Sequence, residues 1–403
     1  MIPVAEAIRI VVEKAEPLAA EHVALGEALG RVLAEDVFAD TDLPPFDRAQ
    51  MDGYAVRSAD VRETPARLRV VGEAAAGGGW RGTLRAGEAV RIMTGAPLPS
   101  GADGVQQVEV TRETEDGAFV IVERATEPGQ FYVPRASEIR KGERVLEAGE
   151  EINAARMAVL ASFGYASVPV RRRPRVAVLA TGTELVQVGE TPGEDQIRDS
   201  NSYSLAAYAR LAGAEVGRLP FAGDDLEMLR REIEGAAARA DVLVLSGGVS
   251  MGRYDFTKAA LGALGAEVFF ERVALRPGKP TVFARLPAGA LVFGLPGNPV
   301  SVSVTFNLFA RTALLALQGS RSPALVEETA TLARAAKASA GRTSYLPASL
   351  STDATGRLLA HILKWGGSSD FVAFARADAL AVIPADAGTL EAGSVVKLVR
   401  LPG

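Results

Sequence analysis

At 403 residues the chain is too long for one ordinary hydrophobic core, so roughly two to four domains are expected. Hydrophobic residues at 48% and charged residues at 23% describe a soluble globular protein, and a net charge of −5 argues against generic nucleic-acid or membrane-surface binding. The absence of cysteine excludes disulfides and thiolate-bound metal, and two histidines, His22 and His361, offer little for a histidine zinc site or a Ser-His-Asp triad.

Residues 1 to about 30 are predicted helical. Met1 to Ala15 carries Glu6, Arg9, Glu13 and Lys14 in an amphipathic pattern, which does not read as a signal peptide. From Arg31 to about 150 the pattern is β-rich and irregular, punctuated by Gly, Pro and Asp. Within it, Leu43-Pro-Pro-Phe-Asp-Arg-Ala-Gln-Met-Asp-Gly-Tyr-Ala-Val56 is a long loop entering a strand. Asp52-Gly53 alone reads as a hairpin turn. Arg91-Ile-Met-Thr-Gly-Ala-Pro-Leu-Pro-Ser-Gly-Ala-Asp103 repeats the theme of strand end, hydroxyl, glycine and rigid prolines. Alone, Thr94 reads as a hydroxyl satisfying loop backbone groups. Residues 153–164 are predicted to form a helix capped by Asn153. The basic run Arg171-Arg-Arg-Pro-Arg175 reads as a solvated linker where two domains join.

From Arg175 to about Gly319, strands and helices alternate. Strands are expected at 175–180, 215–219, 241–245, 267–273, 281–284 and 290–293, with helices at 202–212, 225–239, 256–264 and 300–317. Such alternation implies a mostly parallel sheet with helices on both faces. The long apolar stretch from Ala290 to Leu317 is interrupted by Pro296, Asn298, Pro299 and Arg311, so it does not read as a membrane span. Asn201, after Asp199-Ser200 at a helix start, reads as a capping residue.

Chemistry concentrates at the strand ends of this region. Asp241-Val-Leu-Val-Leu-Ser-Gly-Gly-Val-Ser-Met-Gly-Arg-Tyr-Asp255 is a buried strand, a glycine loop and a carboxylate. Ligands of open α/β sheets bind beyond such strand ends. Gly247, Gly248 and Gly252 let backbone approach a phosphate, and Asp255 is placed either to hold magnesium against it or to cap the following helix. Arg175-Val-Ala-Val-Leu-Ala-Thr-Gly-Thr-Glu184 repeats the design, and Ala290-Leu-Val-Phe-Gly-Leu-Pro-Gly-Asn-Pro-Val-Ser301 ends in a rigid turn before a helix. Leu275-Arg-Pro-Gly-Lys-Pro280 sets two cations in a proline-stiffened loop. Together they point to a phosphate-bearing ligand with a divalent metal. From Ser320 to Gly403, short strands around 379–383 and 394–401, with turns at Ala387-Gly388 and Ala392-Gly393, predict a small β-barrel or sandwich.

With these residues in view, the chain resembles the molybdopterin molybdenumtransferase family, which includes the E domain of gephyrin. The resemblance rests on Pro45-Phe-Asp, Met51-Asp-Gly-Tyr-Ala55, Met93-Thr-Gly-Ala-Pro97, Thr181-Gly-Thr-Glu-Leu185, Ser246-Gly-Gly-Val-Ser-Met-Gly252, Pro277-Gly-Lys-Pro280 and Gly294-Leu-Pro-Gly-Asn-Pro-Val-Ser301, in the family's order. It implies an α/β multidomain fold: an N-terminal region (1–173) with an inserted β-rich subdomain at about 45–140, a doubly wound α/β molybdopterin-binding domain (174–319), and a C-terminal β-barrel (320–403). It implies a magnesium-dependent enzyme of molybdenum cofactor synthesis that inserts molybdenum from molybdate into adenylylated molybdopterin and releases AMP. The alternative is a non-catalytic pterin-binding or scaffolding protein of the same fold.

The resemblance carries roles to particular residues. Asp52, Glu184, Asp225 and Asp255 match the family's acidic residues, with Glu184 and Asp255 as metal ligands and Asp224 as the alternative to Asp225. Arg272, Arg276 and Lys279 would bind pyrophosphate and molybdate oxygens, as suits fixed cations. Gly247, Gly248 and Ser250 belong to the phosphate loop. Pro296, Asn298, Pro299 and Ser301 would shape the pterin or molybdate pocket, and Thr94 and Ser368 would contribute hydroxyls. The resemblance further implies a cytoplasmic homodimer in which the N-terminal lobe of one chain closes over the α/β domain of the other, and contact with the molybdopterin adenylyltransferase. No nucleic acid or membrane partner is expected. Two departures stand out. Arg135-Ala-Ser-Glu138 replaces Arg-Gly-Glu-Asp. Pro347 stands where the family places an arginine associated with the oxyanion, with Arg342 or Arg376 as candidate substitutes.

Overall fold

The computed structural model describes residues 1–221, 225–248 and 256–402. Asp224, Ser250, Gly252 and Asp255 therefore lie outside the described residues. The chain divides into two compact units. One comprises Met1–Glu35, Ala148–Met157 and Ser167–Gly403, and the other Asp36–Glu147 and Ala158–Ala166.

The first unit holds the α/β sheet. Its strand order is Glu215–Arg218, Arg175–Ala180, Val242–Ser246, Leu291–Leu295, Pro280–Arg285, Glu267–Arg272. The first four pair in parallel and Pro280–Arg285 alone runs in reverse, so the sheet is mostly parallel as expected. The central strands are apolar at successive positions because both faces are covered. Val176, Val178, Val242 and Val244 belong to one core, with Leu205 and Ala209 of the helix Asn201–Leu211. Ala177, Leu179, Leu243 and Leu245 belong to the opposite core, with Leu229 and Ile233 of Leu226–Ala237 and Ala260 of Phe256–Ala263. Each buried Leu or Val contributes about 2 kcal/mol through lost water contact, which holds the strand ends, and the loops they carry, in place.

Helix Pro299–Leu317 packs into the first of these cores, with 89% of its most apolar window buried. It runs through Arg311, as the expected helix over 300–317 does, and relaxes to a π-helical turn at Phe306–Ala310. Among the described residues it is the one helix long and apolar enough to cross a membrane, and its burial marks it as a core helix.

Two expectations fail in this unit. The first 30 residues are α-helical only over Val4–Lys14, with one 3-10 turn at Leu25–Glu27, and Ala20–Ala24 is a strand paired antiparallel with Ser167–Arg171. That strand depends on a partner far along the chain. The basic run is not a solvated linker. Arg172 clamps both carboxylate oxygens of Asp241 at 2.7 Å, the Arg175 backbone N–H donates to Asp241 Oδ2 at 2.8 Å, and Arg171 Nη1 donates to the Leu18 carbonyl at 3.0 Å.

The end of the chain is a closed barrel. Strands Thr343–Thr352, Leu358–Ile362, Glu327–Leu332, Val395–Arg400 and Ala379–Ile383 pair in that order, and the last returns to the first. Closure leaves the ring without an open edge. Alanines 330, 348, 360, 379 and 381 with Leu398 fill the narrow interior. Short strand Leu275–Arg276 adds to Thr343–Ser344 in parallel, tying the cation loop of the α/β sheet to the barrel.

The second unit is built on a six-stranded sheet ordered Gly104–Gln107, Gly53–Val56, Glu88–Ile92, Ala66–Ala74, Phe119–Val122, Thr111–Glu113. Strand Gly53–Val56 alternates between two small cores, Ala55 facing Val90, Ile92 and Val105, and Tyr54 and Val56 facing Leu68, Val120 and Val122. Asp52-Gly53 is not a hairpin turn. Gly53 opens a strand so close to its neighbour that a Cβ there would lie 1.9 Å from the Gln106 carbonyl oxygen.

Candidate active site

The turn after the buried strand Leu291–Leu295 presents Pro296, Gly297 and Asn298 before Pro299 starts the next helix, where proline's missing N–H costs nothing. The Asn298 carboxamide does not cap that helix. Its Nδ2 donates to Ser368 Oγ at 2.9 Å, and the Val300 N–H donates to the Ser368 carbonyl at 3.0 Å. The turn is thereby fastened to a loop of the C-terminal barrel region.

The cation loop Arg276–Pro280 lies against the same helix. Gly278 sits at φ +111°, and a Cβ there would come 2.4 Å from Thr305 Cγ2. Only glycine allows this approach. Thr281 Oγ1 donates to the Gly278 carbonyl at 2.7 Å and the Val273 N–H to the Lys279 carbonyl at 3.0 Å, which fixes the loop while both cationic side chains remain exposed.

These loops and the barrel enclose a cavity of about 940 Å³. Arg276, Lys279, Pro296, Asn298, Ser301 and Ser368, all singled out in the sequence, line it. The barrel adds Lys337, Arg342 and Trp365, and Arg276 Nη1 reaches Ser339 Oγ at 3.5 Å. Lys337 and Trp365 were not anticipated. The one local signal was a tryptophan preceding Gly366-Gly367-Ser368-Ser369. Arg342, one of the two candidate substitutes for the family arginine, lines the cavity, and Arg376 is not among the lining residues. Pro347 is buried and does not line it either, whereas Leu346 does. Arg272, at a strand end, is also absent from the lining.

A recess of about 60 Å³ opens on the other side of the Pro296–Pro299 turn, lined by Thr181, Glu184, Asn201, Ser246 and Gly297 among others. Glu184 folds its carboxylate back over Gly182, where a Cβ would lie 2.5 Å from Oε2. Asn201 is not the helix cap. Asp199 takes that role, accepting the Ser202 N–H at 3.0 Å. Asn201 Nδ2 instead donates to Ser246 Oγ at 2.9 Å and the Gly297 carbonyl at 2.7 Å, joining two strand ends. Gly247 and Gly248 lie just beyond Ser246 with positive φ, and the Gly247 N–H donates to the Leu295 carbonyl at 3.1 Å. Asp225 caps helix Leu226–Ala237 by accepting the Met228 N–H at 2.7 Å. Among the described residues no group of three or more His, Asp or Glu is gathered to hold a metal.

In the second unit, Asp52 Oδ1 accepts both the backbone N–H and the hydroxyl of Thr94, each at 2.7 Å. The Thr94 backbone donation, then its hydroxyl, hold the Asp52 carboxyl below its ordinary value. Thr94 thus does more than satisfy loop backbone. It lines a separate pocket of about 630 Å³ with Arg48, Met51 and Phe131. Glu138, the departure from the family's pattern, lies 3.4 Å from Arg48.

Comparison with known proteins adds three matches in chain order. Residues 2–164 match the MoeA N-terminal region (domain I and II), 177–316 the probable molybdopterin binding domain, and 329–401 the MoeA C-terminal region (domain IV). The chain is 36% identical to the molybdopterin molybdenumtransferase of Bacillus subtilis (strain 168), over 99% of this chain and 94% of that one. It is 34% identical to the protein of the same name from Haemophilus influenzae, over 95% and 94%. The crystal structure of the molybdopterin biosynthesis MoeA protein from Pyrococcus horikosii superposes with a TM-score of 0.83, at 33% identity and full coverage of both chains.

Proposed function

The chain belongs to the molybdopterin molybdenumtransferase family of molybdenum cofactor biosynthesis, and from that membership we propose that it joins molybdate to adenylylated molybdopterin with release of AMP. The observation that carries this reading is the cavity in which Arg276, Lys279, Asn298, Ser301 and Ser368 converge. Fixed cations and hydroxyls suit a ligand of phosphate and oxyanion groups, and Trp365 adds an aromatic side chain to the same lining. The chemistry balances without redox change. Cleavage of the pyrophosphate bond consumes one water and leaves AMP. Exchange of two molybdate oxygens for the two dithiolene sulfurs releases two waters, which take two protons from the thiols and two from solvent.

Glu184, Asp255, Asp52 and Asp225 are the proposed acidic residues of this reaction. Magnesium belongs to the same reading, with Glu184 and Asp255 as its ligands, because a hard cation takes carboxylate oxygens. The Glu184 carboxylate, held over Gly182 beside Asn201 and Ser246, fits that chemistry. When bound, the ion would offset charge on the pyrophosphate. A cytoplasmic homodimer that receives its pterin from the molybdopterin adenylyltransferase completes the proposal, and sedimentation of the purified chain tests the dimer.

The deciding experiment supplies purified protein with adenylylated molybdopterin, molybdate and Mg2+ and measures AMP. Release above the protein-free rate, falling about a hundredfold or more in Asp255→Asn, supports the reading. Tight pterin binding with no AMP release by the wild type would favour the scaffolding alternative.

A further inference from the structure

The cavity-lining cations differ from three basic residues on the barrel surface. Arg357, Lys397 and Arg400 each pair with a carboxylate, Asp353, Glu327 and Glu328 respectively, at 2.7–2.9 Å. Arg276, Lys279, Lys337 and Arg342 have no such partner among the described residues, and the lining contains no Asp or Glu. Four like charges around one cavity repel one another. An anion between them removes that repulsion.

Two of the four come from a hairpin whose placement is fixed by the backbone. Ala336–Lys337 pairs with Thr389–Leu390, and the Ala338 N–H donates to the Gly388 carbonyl at 2.7 Å. The Gly341 N–H donates to Asp386 Oδ1 at 3.0 Å. After the hairpin, the Thr343 N–H donates to the Ala274 carbonyl at 3.0 Å, and Thr343–Ser344 pairs with Leu275–Arg276. The hairpin is therefore anchored to the strand that delivers Arg276, and Ser339 contacts the Arg276 guanidinium. Position 347 has no comparable access. Leu346 lines the cavity, and neighbouring side chains of a strand point to opposite faces.

We infer that Lys337 and Arg342 form the barrel's half of an oxyanion-binding clamp, closing on a tetrahedral dianion opposite Arg276 and Lys279. Lys337 is then a specificity-determining residue of this chain, supplying from the hairpin a charge that Pro347 cannot. The inference rests on the proposed function for the identity of the anion, but its test does not need turnover.

The test titrates sodium molybdate into the full-length protein by calorimetry, with Trp365 fluorescence as a second readout. Loss of one charge-assisted contact of about 1.5 kcal/mol corresponds to about tenfold in Kd. Lys337→Ala and Arg342→Ala should each weaken molybdate by about tenfold and the double variant by about a hundredfold. Lys337→Arg should stay within about threefold of wild type, and Lys397→Ala, on the paired surface, should match it. Circular dichroism and melting temperature check that the variants fold. Wild-type affinity in the folded double variant overturns the inference, and so does the absence of saturable molybdate binding by the wild type. Binding lost in the variants while the wild type releases no AMP would uphold the clamp and refute the proposed reaction. Undiminished binding in the variants alongside AMP release would do the opposite.

Discussion

Asn298 and Ser368, far apart in the chain, meet at 2.9 Å, with the Asn298 carboxamide donating to the Ser368 hydroxyl. The hydroxyl can still donate its own proton, so it can meet an anion and Asn298 at once. Ser368→Ala keeps the backbone bond from Val300 and removes only this group. A neutral hydrogen bond is worth about 0.5–1.5 kcal/mol, so molybdate should bind about two- to tenfold more weakly. The melting temperature should barely move. Calorimetric titration that gives an unchanged Kd would remove Ser368 from the site.

Thr94 sets the charge of Asp52. Two donations to one carboxylate oxygen favour the ionised form, so Asp52 should titrate below an ordinary aspartate. Thr94→Val deletes the hydroxyl and leaves the backbone N–H, the larger influence, in place. The carboxyl should then climb only part of the way back. Carbon-13 NMR titration reads this directly, and an ordinary Asp52 value in the wild type would contradict the geometry. Asp52 should consequently be ionised at neutral pH and produce no inflection there in a rate profile.

The elements legible in the sequence were those whose pattern is local. Buried parallel strands announce themselves as apolar runs, and Val242–Ser246 and Leu291–Leu295 fell within two residues of expectation. Asn153 was legible as a cap for the same reason, and it accepts the Arg156 N–H at 2.9 Å. Ala20–Ala24 was not legible, because an exposed strand held by distant backbone has no periodicity of its own. Among site residues, the turn and loop motifs identified Arg276, Lys279, Asn298 and Ser301. Lys337 and Trp365 belong to the same cavity only through barrel closure. Asn201 looked like a cap because Asp199 and Asn201 both flank one helix start, and only the structure assigns the cap to Asp199.

Gly182 is required by Glu184. At φ +152°, with a prospective Cβ 2.5 Å from Glu184 Oε2, alanine would force the carboxylate out of its place. Gly182→Ala should cost about 1–3 kcal/mol of stability from the strained backbone and lower AMP release at least about tenfold, if Glu184 acts as proposed. Gly189→Ala, where nothing lies within 4 Å, is the control. Equal activity in both variants would show that the position of the Glu184 carboxylate does not matter.

Asp241 gives the fold a specific acid sensitivity. Burial by itself would raise its carboxyl, but the Arg172 hydrogen bonds and the Arg175 backbone and side-chain donations outweigh it and bring it to about 2. The folded value is depressed, so the stabilisation is fully present above the unfolded value of about 4 and is lost as pH falls toward 2. Asp241→Asn removes the charge while keeping the shape. It should lower stability by about 1–2 kcal/mol near pH 6, the scale of hydrogen bonds to a charged group discounted for the partly exposed Arg175. Urea melts of both proteins from pH 6 to pH 2.5 would test this. The gap between them should be constant down to about pH 4 and narrow below it as the wild-type carboxyl takes up its proton. A gap that stays constant through the whole range would mean that packing, and not the charge clamped by Arg172, holds the start of the central strand.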